Sequence, residues 1–421
     1  MSVSPVELVL RPLPWQVLSE LQELPEAERE SALANFELEA GERAAVLTQL
    51  TLRRQAEDKL GEFARAMIFT RDGLEQATRL QVAAMHAARF KDAGITTVAD
   101  LGCGIGVDSL AMATLGLRVR SWDISPEAVA CTKVNLRFMP DCEANLGDVT
   151  ALDIEHLISE GVQAIFADPA RRTGAAAGGR RISSPEEWSP SLPAALSWRE
   201  PLREGGFDAL GLKVAPGLAY EHIPSDFEAN WVCVDGQLLE AGLWSPALQS
   251  HGPGRSATVI KGSEAFTFRQ ACDPSEPAKQ LDSAGLGKYL WEPDPAIIRA
   301  GLIAQFVDST ALEGPISPSI AYLTSNEIVA GKEANALTGF EVLGVTQLRP
   351  KAISKALRAL EPTSVEVKKR GTDINPAALQ TALKRILAPR TADHNNPITV
   401  IATRVDGRHQ AVIAKRLRSN T

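Results

Sequence analysis

The stretch VADLGCGIGVDSLAMA, Val98 to Ala113, decides the fold. An apolar run ends in Asp100. Gly102, Gly104 and Gly106 then alternate before helix-forming residues begin at about Val107. Glycine lets the backbone pass close to a ligand with no Cβ in the way. A helix N-terminus beside such a loop presents N–H groups to a carboxylate. A GxGxG pattern alone occurs in many doubly wound proteins, and the Asp two residues before the first Gly narrows it.

Reading outward, the pattern is one of alternation. TTVADLG, LRVRSWDIS, CEANLGDV, VQAIFADP and FDALGLKVAP are short β-type runs from Thr96 to Pro216. GVDSLAMATLG, PEAVACTKVNLRFM and SPEEWSPSLPAALSWREPL between them have helical composition. Alternation of this kind predicts an α/β fold, a parallel sheet doubly wound with helices in the Rossmann manner. NWVCVDGQLLEAGLWS and SATVIKG follow with no long helix between them and read as antiparallel strands closing one edge.

Upstream, residues 1–92 read as a helical N-terminal region. In LEQATRLQVAAMHAARF, Ala77, Leu80, Ala84 and Ala88 fall on one stripe. Downstream, residues 93–262 form the doubly wound domain. Residues 263–345 read as a linker or insertion, with one helix after Pro295. Residues 346–421 read as a small α/β C-terminal domain, with strands at TGFEVLGVTQLRP and TSVEVKKRG and a closing hairpin at Asp406-Gly407.

Three acids sit in register with the glycines. Asp100 precedes the loop. Asp123 ends RVRSWD, seventeen residues after Gly106, where a carboxylate can accept from both hydroxyls of a ribose. Asp148 in NLGD is placed to accept from an adenine amino group. One such Asp is more often a helix cap. Three in consecutive units favour a pocket for an adenosine carrying a charged tail.

DLGCGIG, the second-strand Asp, LGD and the fourth-strand DP together resemble the class I S-adenosylmethionine-dependent methyltransferases, over about Thr96 to Lys261. The resemblance implies a methyltransferase sheet with S-adenosyl-L-methionine as donor and no metal. It implies that Gly102, Gly104 and Gly106 pass under the methionine moiety. By the same resemblance Asp123 holds the ribose, Asp148 contacts the adenine, and Asp100 orients the loop and contacts the methionine amine. GLEQATRLQVAAMHAARF, LGLKVAPGL, SVEVKKRG and NPAALQTALK resemble a bacterial methyltransferase family with a C-terminal THUMP-like domain. The helical segment leading into the core is similar to that of the trimethylguanosine synthases. THUMP domains bind the ends of tRNA, although their usual place is before the catalytic domain and here the order is reversed.

FADPARRTG, Phe166 to Gly174, ends the fourth strand. In amino-methylating enzymes of this class that strand ends in Asp or Asn, two prolines and an aromatic. The side-chain oxygen and a backbone carbonyl accept from an exocyclic amine and aim its lone pair. Asp168 and Pro169 match this catalytic pattern; Ala170 and Arg171 depart from it. Arg171 and Arg172 either bind substrate, by stacking on a base or pairing with a phosphate, or satisfy neighbouring acids. The following Arg-Gly-rich segment to Ser183 is either a substrate loop or a merely flexible one. Lys213 either faces the substrate site or is a surface lysine at a strand end. His86 and His222 carry no functional signal and read as a helix-face and a loop histidine.

Charge separates the chain's two ends. Residues 349–421 carry a net of +10 and the remainder a net of −18, within a total of −8. A basic tail on an acidic body predicts an anionic partner, read here as tRNA or rRNA. Five scattered cysteines with no CxxC pair are neither a disulfide framework nor a zinc site. There is no signal-peptide pattern and no apolar run of about 18 residues, so the cytoplasm and no membrane contact are expected. The expected activity is methylation of an exocyclic base amine in RNA. The alternatives are a methyltransferase for a small molecule or protein, and a non-catalytic RNA-binding factor.

Overall fold

A computed structural model of the chain describes residues 3–170, 184–387, 389 and 395–417. Nine strands form its larger sheet: β1 (Thr97–Leu101), β2 (Arg118–Asp123), β3 (Glu143–Leu146), β4 (Ala164–Ala167), β5 (Leu210–Val214), β6 (Glu228–Val234), β7 (Gln237–Trp244), β8 (Gly254–Lys261) and β9 (Glu264–Gln270). Their order is β3-β2-β1-β4-β5-β7-β6-β8-β9. Pairing is parallel for β1 with β2 and β4, for β2 with β3, and for β4 with β5. All of β1, β4 and β5 is buried, as strands covered on both faces require, and this explains their near-continuous apolar sequence. The strand order reverses between β1 and β4. A crevice at the carboxyl ends of strands that part in opposite directions is where doubly wound sheets bind ligands.

The chain divides into two compact units. The first comprises Met1–Val214, Asp226–Glu228 and Gly242–Gly252. Its helices start where local chemistry says they should. Ser125 caps Pro126–Asn135 by accepting from the Ala128 amide at 3.3 Å, with Pro at the first helical position. Thr70 caps Arg71–Gln76 by accepting from Gly73 N at 2.9 Å. The apolar faces of the N-terminal helices, among them Val17, Leu18, Leu21 and Leu50, join the core that covers β1 and β4, as does Phe69 from the link between helices.

The segment expected as one helix over 74–90 differs. It breaks at Ala77–Arg79, and a new helix runs over Leu80–Asp92. The break resets the helical phase. The buried face is Val82, Ala83, His86, Ala87 and Phe90, while Ala84 is exposed and Ala88 half-buried.

The second unit comprises Ala215–Ser225, Ala229–Ala241 and Pro253–Thr421. It holds a seven-stranded sheet of β10 (Tyr289–Pro293), β11 (Gly314–Pro315), β12 (Leu323–Ser325), β13 (Leu337–Gln347), β14 (Ser364–Lys369), β15 (Pro397–Val405) and β16 (Arg408–Arg416), in the order β11-β12-β10-β13-β16-β15-β14. Asp406 and Gly407, with φ of 47° and 76°, make the hairpin turn between β15 and β16. The helices Pro350–Arg358 and Pro376–Leu383 cover one face with Ile353, Leu357, Leu379 and Leu383. The segment 263–345, read as a linker or insertion, contributes β9 to the larger sheet and β10, β11 and β12 to this one. The boundary drawn at 345 falls inside β13. After Pro295 there are two short helices, Pro295–Arg299 and Ile303–Asp308, in place of one.

Candidate active site

The loop after β1 is shaped by its glycines. Gly102, Gly104 and Gly106 have φ of 89°, 56° and 78°, a region that L side chains rarely adopt. The Gly102 and Cys103 amides donate to the Trp122 carbonyl at 2.8 and 3.0 Å, laying the loop across the end of β2. Thr132 Oγ1 donates to the Gly104 carbonyl at 2.8 Å. Asn135, buried, donates from Nδ2 to the Ile105 carbonyl at 2.7 Å and accepts from Ile68 N at 2.8 Å, so the loop is held from both sides. A Cβ at Gly106 would stand 2.7 Å from Thr132 Cγ2, whereas one at Gly104 would meet nothing within 4 Å. The loop is therefore packed behind and open in front.

Each acid has a defined place. Asp123 accepts from Gly104 N at 2.9 Å with Oδ2 and from Ser125 N at 2.8 Å with Oδ1. A carboxylate has about four lone-pair directions, so acceptor capacity remains on both oxygens. Asp100 is buried and accepts from the Ser109 hydroxyl, which also lies 2.9 Å from Ser121 Oγ. Burial first, and then the negative charge of Asp108, push the Asp100 carboxyl up to about 7, against the pull of Ser109. Asp148 is exposed and stands two residues beyond β3. Its Oδ1 accepts from the Thr150 hydroxyl at 2.7 Å and amide at 2.9 Å, which hold its carboxyl below the usual range. The capping reading thus holds for that oxygen. Ile124 and Leu146, aliphatic yet 72% and 60% exposed, flank the Asp123 end, where Asp123 pairs with Leu146. The sequence signal for these two was an aliphatic residue directly after one strand-end acid and another just before Gly147-Asp148.

At the end of β4, the Asp168 carbonyl lies 3.5 Å from where a Cβ on Gly102 would stand. Pro169 is buried, and Ala170 exchanges backbone hydrogen bonds with Ser189 at 2.8 and 3.0 Å. Arg171, Arg172 and the rest of the Arg-Gly segment lie outside the described residues. Lys213 is not a surface lysine: it is buried and donates to Asp168 Oδ2 at 2.7 Å and to Thr78 Oγ1 at 3.0 Å. Thr78 Oγ1 donates to Asp108 Oδ2 at 2.6 Å, and His86 Nδ1 donates to Asp108 Oδ1 at 2.8 Å. Burial would raise the Asp108 carboxyl, but His86, Lys213 and Thr78 together outweigh it and hold it below the usual range. The His86 ring, on the buried face of its helix, lies 5.2 Å from Phe166 and 5.5 Å from Trp244, so it is a core residue. Thr78 and Asp108 gave no sequence signal, because only the fold brings them to Asp168. His222 lies in the second unit. Among the described residues no group of three or more His, Cys, Asp or Glu could hold a metal ion.

Residues 63–176 match the family described as methyltransferase small domain, and residues 337–416 match the one described as THUMP domain-like. An uncharacterized S-adenosylmethionine-dependent methyltransferase of Mycobacterium tuberculosis strain CDC 1551 is 31% identical over 377 residues, covering 87% of this chain and 94% of the relative. This chain belongs to the S-adenosylmethionine-dependent methyltransferase family. The counterpart in strain H37Rv matches the methyltransferase equally well. A crystal structure from Porphyromonas gingivalis W83, of a candidate methyltransferase, shares its fold with a TM-score of 0.69 at 18% identity, over 99% of this chain and 100% of that one.

The family resemblance carried by DLGCGIG, LGD and the fourth-strand DP, and by SVEVKKRG and NPAALQTALK, is thereby borne out. The enzyme's methyl donor is S-adenosylmethionine, and the residues fit it. The open space in front of Gly104 lies beside the Asp123 carboxylate, which accepts from the Gly104 amide. No helix among the described residues is long and apolar enough to cross a membrane.

Proposed function

We propose that this methyltransferase modifies an exocyclic amine of a base in RNA, tRNA or rRNA, with Asp168 holding the acceptor. The observation that carries the reading is Asp168 itself, one residue past the end of β4, with its backbone carbonyl beside the Gly102 end of the loop and its carboxylate held by Lys213. On this reading Asp123 accepts from the ribose hydroxyls of the donor. The open oxygen of Asp148 accepts from its adenine amino group, and Ile124 and Leu146 lie against the two faces of that ring. Asp100 orients the loop and faces the methionine amine.

When bound, S-adenosylmethionine supplies an electrophilic methyl group on a sulfonium. The chain's own residues do the positioning. With Oδ2 of Asp168 taken by Lys213, Oδ1 accepts one N–H of the acceptor amine and the Pro169 carbonyl accepts the other. The nitrogen lone pair then points at the donor loop. Such alignment supplies most of what this reaction needs, because no strong base is required. Arg171 and Arg172 follow directly in sequence and are proposed to hold the base face or a phosphate. The net charge of +10 over residues 349–421 supports an RNA backbone as the partner of the THUMP-like segment, in the cytoplasm.

The test is purified protein with methyl-labelled S-adenosylmethionine and total RNA from a strain lacking the gene. Label in tRNA or rRNA that disappears with Asp168→Ala supports the reading. Label that stays out of RNA but enters a protein or small-molecule fraction overturns it.

A further inference from the structure

We propose that Lys213 is a positioning residue for Asp168, locked by a buried chain that begins in the N-terminal helical region and runs from His86 through Asp108 and Thr78. The proposal rests on reading Asp168 as the carboxylate that holds the acceptor. It concerns how that carboxylate is kept in one orientation.

A lysine ammonium is a compact charge on a flexible stem, and by itself fixes nothing. Here its surroundings fix it. Nζ donates to Asp168 Oδ2 at 2.7 Å and to Thr78 Oγ1 at 3.0 Å. The direction of each proton along the chain follows from chemistry. Asp108 is held ionised and can only accept, so the Thr78 hydroxyl proton points at Asp108 Oδ2 and a Thr78 lone pair is turned toward Lys213. On its other oxygen Asp108 accepts from His86 Nδ1, which sets that nitrogen as the protonated one. Rigid packing holds the far end, because the His86 ring lies among Phe166 and Trp244, themselves stacked at 6.2 Å. With Asp108 accepting only and Lys213 donating only, the Thr78 hydroxyl between them is left a single orientation.

Exposure separates the roles of the pair. The Lys213 side chain is 9% exposed and that of Asp168 32%. A substrate amine can therefore reach the aspartate and not the ammonium. One carboxylate oxygen is committed to the interior, and the other is presented in a fixed direction. This replaces the expectation that Lys213 binds substrate itself. It also gives the break at Ala77–Arg79 a purpose, since Thr78 stands in the non-helical link between two helices.

Thr78 is the informative position, because Val copies its shape without the hydroxyl and Ser keeps the hydroxyl. Full-length protein labelled with 15N-lysine is observed by side-chain ammonium NMR, with Lys213→Met identifying the Lys213 signal. The slowly exchanging signal is expected in wild type and Thr78→Ser, and lost in Thr78→Val and Asp168→Asn. With RNA from the gene-deletion strain as acceptor, Thr78→Val should lower kcat by about tenfold or more, while KM and the Kd for S-adenosylhomocysteine stay within about twofold. Thr78→Ser should restore kcat to within about twofold of wild type. A Thr78→Val protein that keeps both the signal and wild-type kcat overturns the proposal. So does an equal loss in Thr78→Ser, or a kcat loss matched by lost S-adenosylhomocysteine binding, since either marks a merely structural role. Wild-type protein that leaves this RNA unmethylated refutes the RNA reading alone. The ammonium signals then decide the positioning chain: their survival in Thr78→Val overturns it.

Discussion

Lowering the pH should weaken donor binding through one buried carboxyl. Asp100 sits at about 7 because burial and the charge of Asp108 disfavour its ionised form. A cationic donor beside the loop favours that ionised form, so binding and deprotonation are linked. If the donor selects the carboxylate, its affinity scales with the ionised fraction, roughly one-tenth at pH about 6 and nine-tenths at pH about 8, which is about a tenfold change in Kd. Near pH 7 about half a proton is released per donor bound. Titration calorimetry of S-adenosylmethionine at several pH values, in buffers of different ionisation enthalpy, measures both quantities. The donor's own amine also titrates, so the readout is the difference between wild type and Asp100→Asn, in which the carboxyl is absent. Ser109→Ala removes the hydrogen bond that favours the carboxylate and should move the midpoint to higher pH. A wild-type slope identical to that of Asp100→Asn would refute the reasoning.

Three further outcomes follow from particular contacts. Without donor, Asp100 binds more protons in the folded than in the unfolded chain between its ordinary pKa and about 7, so stability falls as pH rises through that window; denaturant titrations of wild type should show this loss and those of Asp100→Asn should not. Gly106→Ala places a Cβ 2.7 Å from Thr132 Cγ2 at a φ of 78°, and should cost about 1–3 kcal/mol by thermal melting while weakening donor binding. Lys351, Lys355 and Arg358 share the exposed side of the helix Pro350–Arg358, and replacing all three by Glu should raise KM for RNA and flatten its log–log salt dependence by about 2, whereas a small-molecule acceptor would leave KM unchanged.

The catalytic half of the fold was legible because its strands are buried on both faces. Thr97–Leu101 and Leu210–Val214 read as near-continuous apolar runs, and Gly102, Gly104 and Gly106 sit where a left-handed backbone is required. Asp100 and Asp168 were legible as strand-end acids for the same reason, and Asp123 as the acid ending the half-buried run RVRSWD. The phase of the Leu80–Asp92 helix was not, because the break at Ala77–Arg79 interrupts a pattern that periodicity alone reads as continuous. β10, β11 and β12 are five, two and three residues long, too short to carry a period. The chain from His86 to Asp168 was hidden for a different reason. Its members stand at 78, 86, 108, 168 and 213, and only the packing of the N-terminal helices on β1, β4 and β5 brings them together. A lone buried histidine or threonine announces nothing in sequence.

The central claim is that Asp168 presents an RNA base amine to the methyl donor. Mass spectrometry of nucleosides from purified tRNA and rRNA tests it most directly, in cells with the gene, without it, and complemented with Asp168→Ala. The account predicts one methylated-amine nucleoside that is present with the gene, absent without it, and not restored by Asp168→Ala. Identical nucleoside profiles in all three strains, or full restoration by Asp168→Ala, would contradict it.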